Sequence, residues 1–242
     1  MKLHIIVPVS NEKDNIARTL DDVEAHIHTP HDITIVYDFS EDNTLPATRD
    51  WHQQHARVDL HLLHNDLGRG VVHAIKKGLS QVHDGAALVM MADLSDDLRT
   101  VDAMVTKIGE GYDVVCGSRY MAGGQQIGGP RLKKFLSRMA GLSLHFVTGI
   151  PTHDITNSFK MYSARLLNRI VIESHGGFEI GLEILVKCFA GGGRIIEVPT
   201  TWRDRTAGES RFRLWQWLPH YLRWYFYAIG SRLGLVRSRP LF

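Results

Sequence analysis

Three carboxylates follow an apolar run in the segment AALVMMADLSDD, which spans residues 86–97. Asp93, Asp96 and Asp97 lie within five positions, and no charged residue precedes them in that run. A buried strand that ends in carboxylates presents oxygen ligands, which hard divalent cations such as Mg²⁺ prefer and share with phosphates. We therefore expect Asp93 to hold a cation, whereas Asp96 or Asp97 also suits the N-terminal cap of a following helix.

Polar side chains also follow three other predicted strands. They are Pro8 and Glu12 after the first strand, Asp38, Ser40 and Asp42 after the second, and Ser118 and Arg119 after the fifth. Each set alone is typical of turns and helix caps. Four sets at one edge of one sheet favour a ligand site, because open α/β sheets bind ligands beyond the carboxyl ends of their strands. A nucleotide diphosphate on a metal would satisfy the carboxylates and the arginine together.

The elements that must position these residues alternate between strand and helix. Short β-branched runs such as LHIIVP, DITIVYD and YDVVCGS alternate with segments whose apolar residues recur at helical spacing, such as residues 13–26 and 68–82. This order predicts an α/β domain with a mostly parallel, Rossmann-type sheet flanked by helices. After residue 120 the regular alternation of predicted strands and helices ends. The segment RLKKFLSRMAGLSLHFVTG predicts an amphipathic helix, which would belong to a second lobe packed on the same sheet.

Composition and charge exclude several classes of protein. The chain has 242 residues, 44% of them hydrophobic, and a net charge of +2, which gives no case for a nucleic-acid partner. Two cysteines without a CxxC pair favour a reducing compartment, and we expect no signal peptide or membrane-spanning helix. The fourteen histidines form no HExxH pattern, so solvated surface histidine is favoured over a zinc site.

A family resemblance rests on the order of seven segments. They are VPVSNE, YDFSEDNT, GRGVVHAIKKG, MADLSDD, GSRYMAGG, DITNSFKMY and EVPTTWRDRTAGES. This order, over about residues 3–212, resembles glycosyltransferase family 2 of the GT-A fold, and within it the dolichyl- or polyprenyl-phosphate hexose synthases. The resemblance implies a GT-A domain over residues 1–212, with a nucleotide-sugar half (1–120), a helical acceptor half (121–212) and an amphipathic helix over 213–242.

The resemblance also implies a role for individual residues. Donor-binding positions are Pro8, Ser10, Glu12, Asp38, Ser40, Gly68 and Asp93. The metal, Mg²⁺ or Mn²⁺, would be held by Asp93 and Ser95, where these synthases often have Gln in place of the serine. Acceptor-phosphate positions are Arg119, Lys133, Ser137, Arg205 and Arg211, and the residues expected to carry catalysis are Asp93, Arg119 and Arg205.

Two departures from the family pattern concern the donor site. Met91 replaces the first Asp of the metal motif, and Tyr37 replaces the first Asp of the usual Asp-Asp pair. Asp93 is therefore left with fewer protein oxygens. Asp96 or Asp97 would compensate, or phosphate oxygens and water would, since a magnesium site commonly keeps such ligands.

The acceptor decides the expected mechanism. A lipid monophosphate, with a second pKa near ~6, is already mostly anionic at neutral pH, so it attacks without a general base. The resemblance thus implies an inverting transfer of a hexose from GDP-mannose or UDP-glucose to polyprenyl phosphate. An alternative is a hydroxyl acceptor, which would need a base such as Asp154 or Glu183. A third alternative is a non-catalytic module that binds nucleotide sugars, which only Met91 and Tyr37 support. A nucleotidyltransferase is less favoured, because the glycine-rich phosphate loop that such enzymes have near the N-terminus is absent from the sequence.

The C-terminal segment carries an interfacial signature. Aromatic residues alternate with arginines in RLWQWLPHYLRWYFYAIGSRLGL, and the segment 194–239 contains many more arginines than acids. Such a helix suits a position on the membrane surface, although packing on the second lobe would explain the same pattern. We expect a cytoplasmic protein, peripheral at the cytoplasmic face of the membrane.

Overall fold

The computed structural model describes residues 1–204, 214–236 and 241–242. Its strands are β1 (Leu3–Pro8), β2 (His31–Tyr37), β3 (Leu60–His64), β4 (Ala86–Val89), β5 (Val114–Ser118), β6 (Gln125–Ile127), β7 (Lys160–Ser163), β8 (Ile195–Pro199) and β9 (Thr201–Arg203). Its helices are α1 (Lys13–His26), α2 (Thr44–Gln54), α3 (Val71–Leu79), α4 (Val101–Gly109), α5 (Arg131–Thr148), α6 (Ala164–Leu167), α7 (Ile180–Ala190) and α8 (Leu214–Arg232). A short 3₁₀ turn, Leu98–Thr100, precedes α4.

Seven strands form one central sheet in the order β3-β2-β1-β4-β7-β5-β8. The pairings of β1 with β2 and β4, of β2 with β3 and of β5 with β8 are parallel. The mostly parallel α/β sheet predicted from the alternation of elements is therefore confirmed. Strands β6 and β9 pair separately, as a small parallel ribbon.

Helices cover both faces of the sheet, which fits the mostly apolar sequences of its inner strands β1, β4 and β5. Successive residues of β1 point to opposite faces, so Ile5 packs in the core with α1, α2 and α4, whereas Ile6 packs in the core with α3 and α7. Gly78 of α3 lies so close to Ile6 that an added Cβ would collide with its side chain. This close approach seats α3 directly against β1.

Strand β7 was not anticipated from the sequence. It runs antiparallel between β4 and β5, and its residues Lys160–Ser163 are all buried. A four-residue strand that begins with a lysine shows no apolar alternation, so its pattern gives no strand signal. Because β7 and β8 join the sheet of β1–β5, the residues after 120 share one sheet and core with those before it.

Candidate active site

Two strained loops lie at the carboxyl ends of β1 and β4, which are neighbours in the sheet. Asn11 has a φ of 58° and Leu94 a φ of 59°, and within the described ranges these are the two residues other than glycine with positive φ. Such backbone costs free energy and persists where the surroundings fix it, often at functional sites. The sheet edge that the sequence predicts to bind a ligand therefore coincides with the strained backbone.

The loop after β1 is braced by the loop after β2. Glu12 lies at the start of α1, where its Oε2 accepts a hydrogen bond from the Asn15 side chain at 3.0 Å. The Glu12 N–H donates to Thr44 Oγ1 at 2.9 Å, and the Asn11 N–H donates to the buried Asp42 at 3.0 Å. Pro8, which is buried, ends β1 just before this loop. The predicted donor residues of this segment thus sit on a loop held by hydrogen bonds.

Asp38 fixes the turn that precedes α3. Its Oδ1 accepts from the Asn65 side chain at 2.7 Å, and its Oδ2 accepts from the Gly70 N–H at 2.8 Å. Asn65 also donates to the Gly68 carbonyl at 2.6 Å, so Asp38 and Gly68 belong to one connected turn. Gly68 and Gly70 have φ values of 116° and 120°, a region that favours glycine. Ser40, in contrast, is exposed beside this turn.

The loop after β4 holds the predicted metal residues close together. Asp93 is 8% exposed and accepts a hydrogen bond from the Ser95 N–H at 3.1 Å. Ser95 is buried, and its carbonyl accepts from the Arg203 N–H at 2.9 Å, which ties this loop to β9. Asp97 is a different case, because it caps the 3₁₀ turn and binds Arg99 Nε at 2.7 Å.

Asp96 is half-buried as a residue, but its Oδ2 atom is shielded from solvent and accepts no hydrogen bond from the residues that the structure describes. Burial and then repulsion by Asp93 raise the pKa of Asp96 to about 7. The charge of Arg119, a backbone hydrogen bond from Met91 and the charge of Lys160 oppose this rise only in part. Within residues 1–204, 214–236 and 241–242, this carboxylate therefore has no ion pair.

The oxygen atoms of this loop are suitable ligands for a hard divalent cation. Asp93, Ser95 and the Oδ2 atom of Asp96 offer oxygen ligands, which Mg²⁺ and Mn²⁺ accept. No group of three His, Cys, Asp or Glu side chains arranged to hold a metal occurs in the described part of the chain. A cation here would accordingly take several of its ligands from water and phosphate, as magnesium commonly does.

Arg119 lies at the centre of a buried polar cluster on the other side of the loop. Its Nε donates to Asp154 Oδ2 at 2.6 Å and its Nη2 to Asp154 Oδ1 at 2.8 Å. Nη2 also lies 3.2 Å from Ser137 Oγ and 3.0 Å from Thr156 Oγ1. The Arg119 side chain is 10% exposed and that of Asp154 is fully buried. The guanidinium is thus held in one position by a bidentate ion pair.

The two charges of this pair stabilise each other. Burial alone would raise the pKa of Asp154, but the charge and hydrogen bonds of Arg119 outweigh it and hold the pKa below its ordinary value. Burial would likewise lower the pKa of Arg119, and Asp154 reverses this effect, so the pKa is raised. The site therefore contains a positively charged guanidinium in a fixed position, that of Arg119, whose counter-charge is the buried carboxylate of Asp154.

Helix α5 brings Ser137, one of the predicted acceptor residues, to this cluster. Ser137 Oγ accepts from Tyr120 Oη at 2.9 Å, and half-buried Lys133 lies one turn earlier on the same helix. An added Cβ at Gly141 would collide with the carbonyl of His153, so this glycine lets α5 approach the chain next to Asp154. Arg205 and Arg211, predicted at the same site, lie outside the described residues.

Both carboxylates considered as a general base are engaged elsewhere. Asp154 is bound on both oxygens by Arg119. Glu183 is fully buried, and its oxygens accept from the N–H groups of Glu173 at 2.6 Å and Ser174 at 2.7 Å and from Lys187 Nζ at 2.6 Å. Both side chains therefore have structural roles. Because a hydroxyl acceptor would need one of them as a general base, these contacts weaken the hydroxyl-acceptor alternative.

Sequence reasoning missed three residues of the cluster. Thr156 and Tyr120 complete the hydrogen bonds around Ser137 and Arg119. Lys160 is fully buried in β7, where its Nζ donates to the carbonyls of Ile155, at 3.2 Å, and Asn157. Burial lowers the pKa of Lys160. The polar run THDITNS was the available signal, because a loop rich in Asp, Thr and Asn commonly folds onto its own hydrogen-bonding groups.

Known proteins resemble this chain over most of its length. An undecaprenyl-phosphate mannosyltransferase from Micrococcus luteus is 29% identical over 221 residues, which cover 87% of this chain and 87% of that protein. A dolichol-phosphate mannosyltransferase from Pyrococcus furiosus is 25% identical over 231 residues. That match covers 92% of this chain but 63% of the archaeal protein, so the chain spans less than two thirds of that relative.

Solved structures share the fold. Glucosyl-3-phosphoglycerate synthase from Mycobacterium tuberculosis, in complex with Mn²⁺, UDP and glucosyl-3-phosphoglycerate, superposes with a TM-score of 0.67 at 16% identity, over 98% of this chain and 81% of that one. Its complex with Mg²⁺ and UDP gives a TM-score of 0.65 at 17% identity. This likeness confirms the GT-A-like fold. The profile of glycosyl transferase family 2 matches residues 4–171, more than half of the chain, and this protein accordingly belongs to that family and is a glycosyltransferase.

Proposed function

We propose that this glycosyltransferase moves a hexose from a nucleotide-diphosphate sugar to a polyprenyl phosphate, with inversion at the anomeric carbon. The observation that carries the proposal is the buried Arg119–Asp154 pair. It holds a cation beside Ser137, and it binds both oxygens of Asp154, which was a candidate base. Two relatives named as polyprenyl-phosphate mannosyltransferases support the same acceptor.

The chemistry of a phosphate acceptor matches this arrangement. A phosphate oxygen attacks the anomeric carbon, the bond from that carbon to the donor diphosphate breaks, and the nucleoside diphosphate leaves. Since the attacking oxygen is already anionic, the protein must hold two negative substrates together rather than remove a proton. Arg119, with Lys133 and Ser137 on α5, suits the acceptor phosphate, and Arg205 and Arg211 are proposed to add positive charge.

The donor side is assigned to the loops after β1, β2 and β4. Pro8, Ser10, Glu12, Asp38, Ser40 and Gly68 are proposed to contact the nucleotide, and Asp93 and Ser95 to hold Mg²⁺ or Mn²⁺. When bound, such a cation neutralises the charge that develops on the leaving diphosphate. The names of both relatives favour a mannosyl donor, and GDP-mannose and UDP-glucose are the first candidates to test.

The acceptor assignment predicts both a product and a pH profile. Purified protein should transfer label from one nucleotide sugar to an extractable lipid only when polyprenyl phosphate is present. The transfer rate should fall on acidification through about pH 6, where the acceptor phosphate takes up a proton. The pH profile should show no further loss of activity from the protonation of a catalytic base of the protein. The measurement is a panel of labelled donors, with polyprenyl phosphate or polyprenol as acceptor, across pH.

Three outcomes of this experiment are decisive. Label on the polyprenol would replace the phosphate acceptor with a hydroxyl acceptor. Donor binding without turnover on either lipid would support a non-catalytic binding module. An acid limb that stays in place when the acceptor is changed to a phosphonate of different pKa would place the titrating group on the protein instead of the lipid.

The membrane association that we propose rests on an exposed apolar stripe. None of the described helices is long and apolar enough to cross a membrane. On α5, however, Leu132, Phe135, Leu136 and Met139 recur at helical spacing and are 40–61% exposed. Helix α8 packs beside α5 through the Tyr225–Ser143 hydrogen bond and adds exposed Leu222 and Phe226. We propose that this face lies on the cytoplasmic surface of the membrane.

The structure divides α8 between core and surface. Trp224 is 2% exposed and donates to Ser174 Oγ at 3.1 Å, so this aromatic residue belongs to the core. Phe226, two positions later, is 62% exposed. Both readings of the C-terminal segment, a helix packed on the second half and an interfacial helix, thus fit different sides of α8.

Truncating the stripe should release the protein from lipid. The triple substitution Phe135→Ser, Met139→Ser and Phe226→Ser should lower partitioning onto vesicles at least a hundredfold, since each buried side chain of this size contributes about 1.5–3 kcal/mol. Co-sedimentation with phosphatidylcholine vesicles, with and without anionic lipid, measures the effect. Val171→Ser, at a 69% exposed apolar residue away from the stripe, is the control. Equal losses in both proteins would contradict the assignment.

A further inference from the structure

The metal loop contains one carboxylate oxygen whose hydrogen bonding the described residues leave unsatisfied. Asp96 Oδ2 is shielded from solvent and receives no hydrogen bond from residues 1–204, 214–236 or 241–242. An unsatisfied buried polar atom costs free energy, and a charged one costs more. Such an atom therefore calls for a partner that the described part of the chain does not provide.

Neighbouring cations do not fill this role. The described hydrogen bonds of Arg119 go to Asp154, Ser137 and Thr156. Those of Lys160 go to backbone carbonyls. Both side chains act on Asp96 only through longer-range electrostatics, while the negative charge of Asp93 acts on it unfavourably. Asp93 and Asp96 thus lie near each other, and no positive group of the described residues forms an ion pair with Asp96.

Asp97 and Asp42 serve as internal comparisons. Asp97 binds Arg99 through both oxygens, at 2.7 and 2.8 Å, and caps the 3₁₀ turn, so its charge is already balanced. Asp42 also has a buried Oδ2 without a hydrogen bond, but its Oδ1 accepts from Asn11 and Thr44 and holds two loops together. Among the described residues, Asp96 has neither an ion pair like that of Asp97 nor a hydrogen bond that joins two loops like those of Asp42.

We propose that Asp96 is the second carboxylate ligand of the divalent cation held by Asp93, and that it replaces the acid absent at Met91. Met91 lies beside it, because the Met91 backbone N–H hydrogen-bonds to the Asp96 carboxyl group. A second carboxylate raises the affinity of an oxygen site for a divalent cation, because affinity follows the charge of the ligands. The inference rests on the proposed function only in taking this cation to be the one shared with the donor diphosphate.

Binding of Mn²⁺ alone tests the inference without turnover. The purified chain is titrated with Mn²⁺, and the free ion is measured by electron paramagnetic resonance. The dissociation constant of Asp96→Asn for Mn²⁺ should be at least tenfold larger than that of the wild type. Asp97→Asn, which removes the adjacent carboxylate, should bind Mn²⁺ as the wild type does. If Asp96→Asn folds poorly, Asp96→Ser provides the same comparison.

A second readout separates ligand loss from misfolding. In metal-free protein, Asp96→Asn should raise the melting temperature, because it removes a buried charge without a partner. Saturating Mn²⁺ should raise the melting temperature of the wild type and of Asp97→Asn, and much less that of Asp96→Asn. Wild-type affinity in Asp96→Asn, or an equal loss in Asp97→Asn, would overturn the inference.

The outcome is distinct from that of the acceptor experiment. If polyprenyl phosphate is not glycosylated but Asp96→Asn loses Mn²⁺, the metal ligand stands and the acceptor assignment fails. If polyprenyl phosphate is glycosylated while Asp96→Asn binds Mn²⁺ normally, the acceptor stands and the metal ligand is wrong.

Discussion

Asp93→Asn should lower kcat/KM for hexose transfer by about a thousandfold or more, the largest loss that we expect from a single substitution. A metal that stabilises charge in the transition state contributes several kcal/mol, and about 4 kcal/mol corresponds to a factor of a thousand. Asn keeps the shape of Asp93 and retains an oxygen that accepts from the Ser95 N–H, so the loop should keep its fold. Turnover is measured against added Mg²⁺ and Mn²⁺, with circular dichroism to check folding.

The matched control for this substitution is Asp97→Asn. It removes a carboxylate four positions away, and the Asp97 side chain is committed to Arg99. We expect its turnover to stay within a few-fold of the wild type. Near wild-type turnover in Asp93→Asn at saturating Mn²⁺ would refute the assignment of Asp93 to the metal.

Asp154→Asn should have the largest effect on stability among the predicted site residues. It leaves the Arg119 guanidinium, 10% exposed, without its counter-charge. Breaking a buried ion pair on one side typically costs about 3–5 kcal/mol, which for a chain of this size lowers Tm by about 10 °C. Because Arg119 would also lose its fixed position, KM for the acceptor should rise about tenfold or more.

Asp113→Asn separates the stability effect from the acceptor effect. Asp113 is also fully buried and pairs with Arg165 at 2.6 Å, but it lies at the opposite end of β5 from Arg119. This substitution should destabilise the protein with no change in the acceptor KM. If Asp154→Asn behaves in the same way, then Arg119 is a structural residue and its proposed contact with the acceptor phosphate is wrong.

The same pair predicts how stability responds to acid. The pKa of Asp154 is lowered in the folded protein, so its contribution is fully present above the unfolded pKa near ~4 and is lost as pH falls through the folded value. The difference in unfolding free energy between wild type and Asp154→Asn should therefore be constant at neutral pH and shrink below about pH 4. Urea unfolding across this range measures it. A difference that stays constant down to pH 2 would contradict the ion-pair account.

Local sequence patterns predict most of the strands and helices and the edge of the sheet where polar residues gather. Alternation of β-branched runs with helical periodicity predicted β1, β2, β4 and β5 together with α1, α3 and α5, because both signals are local in the chain. The polar residues that follow these strands then indicated that Asp38, Asp93 and Arg119 lie at one edge of the sheet, since the carboxyl ends of parallel strands share an edge. The order of seven segments was enough to indicate the family, which the family profile confirms.

The contacts of each polar residue, in contrast, depend on how distant segments pack together in the fold. Sequence left Asp96 and Asp97 equivalent, and it left Asp154 as a candidate base; the fold pairs Asp97 with Arg99 and Asp154 with Arg119, 35 positions away. It also inserted β7 between β4 and β5 and buried Trp224 against Ser174. Local patterns report periodicity and capping, whereas partners of buried polar groups depend on packing between distant segments, which sets the burial and therefore the charge balance of each group.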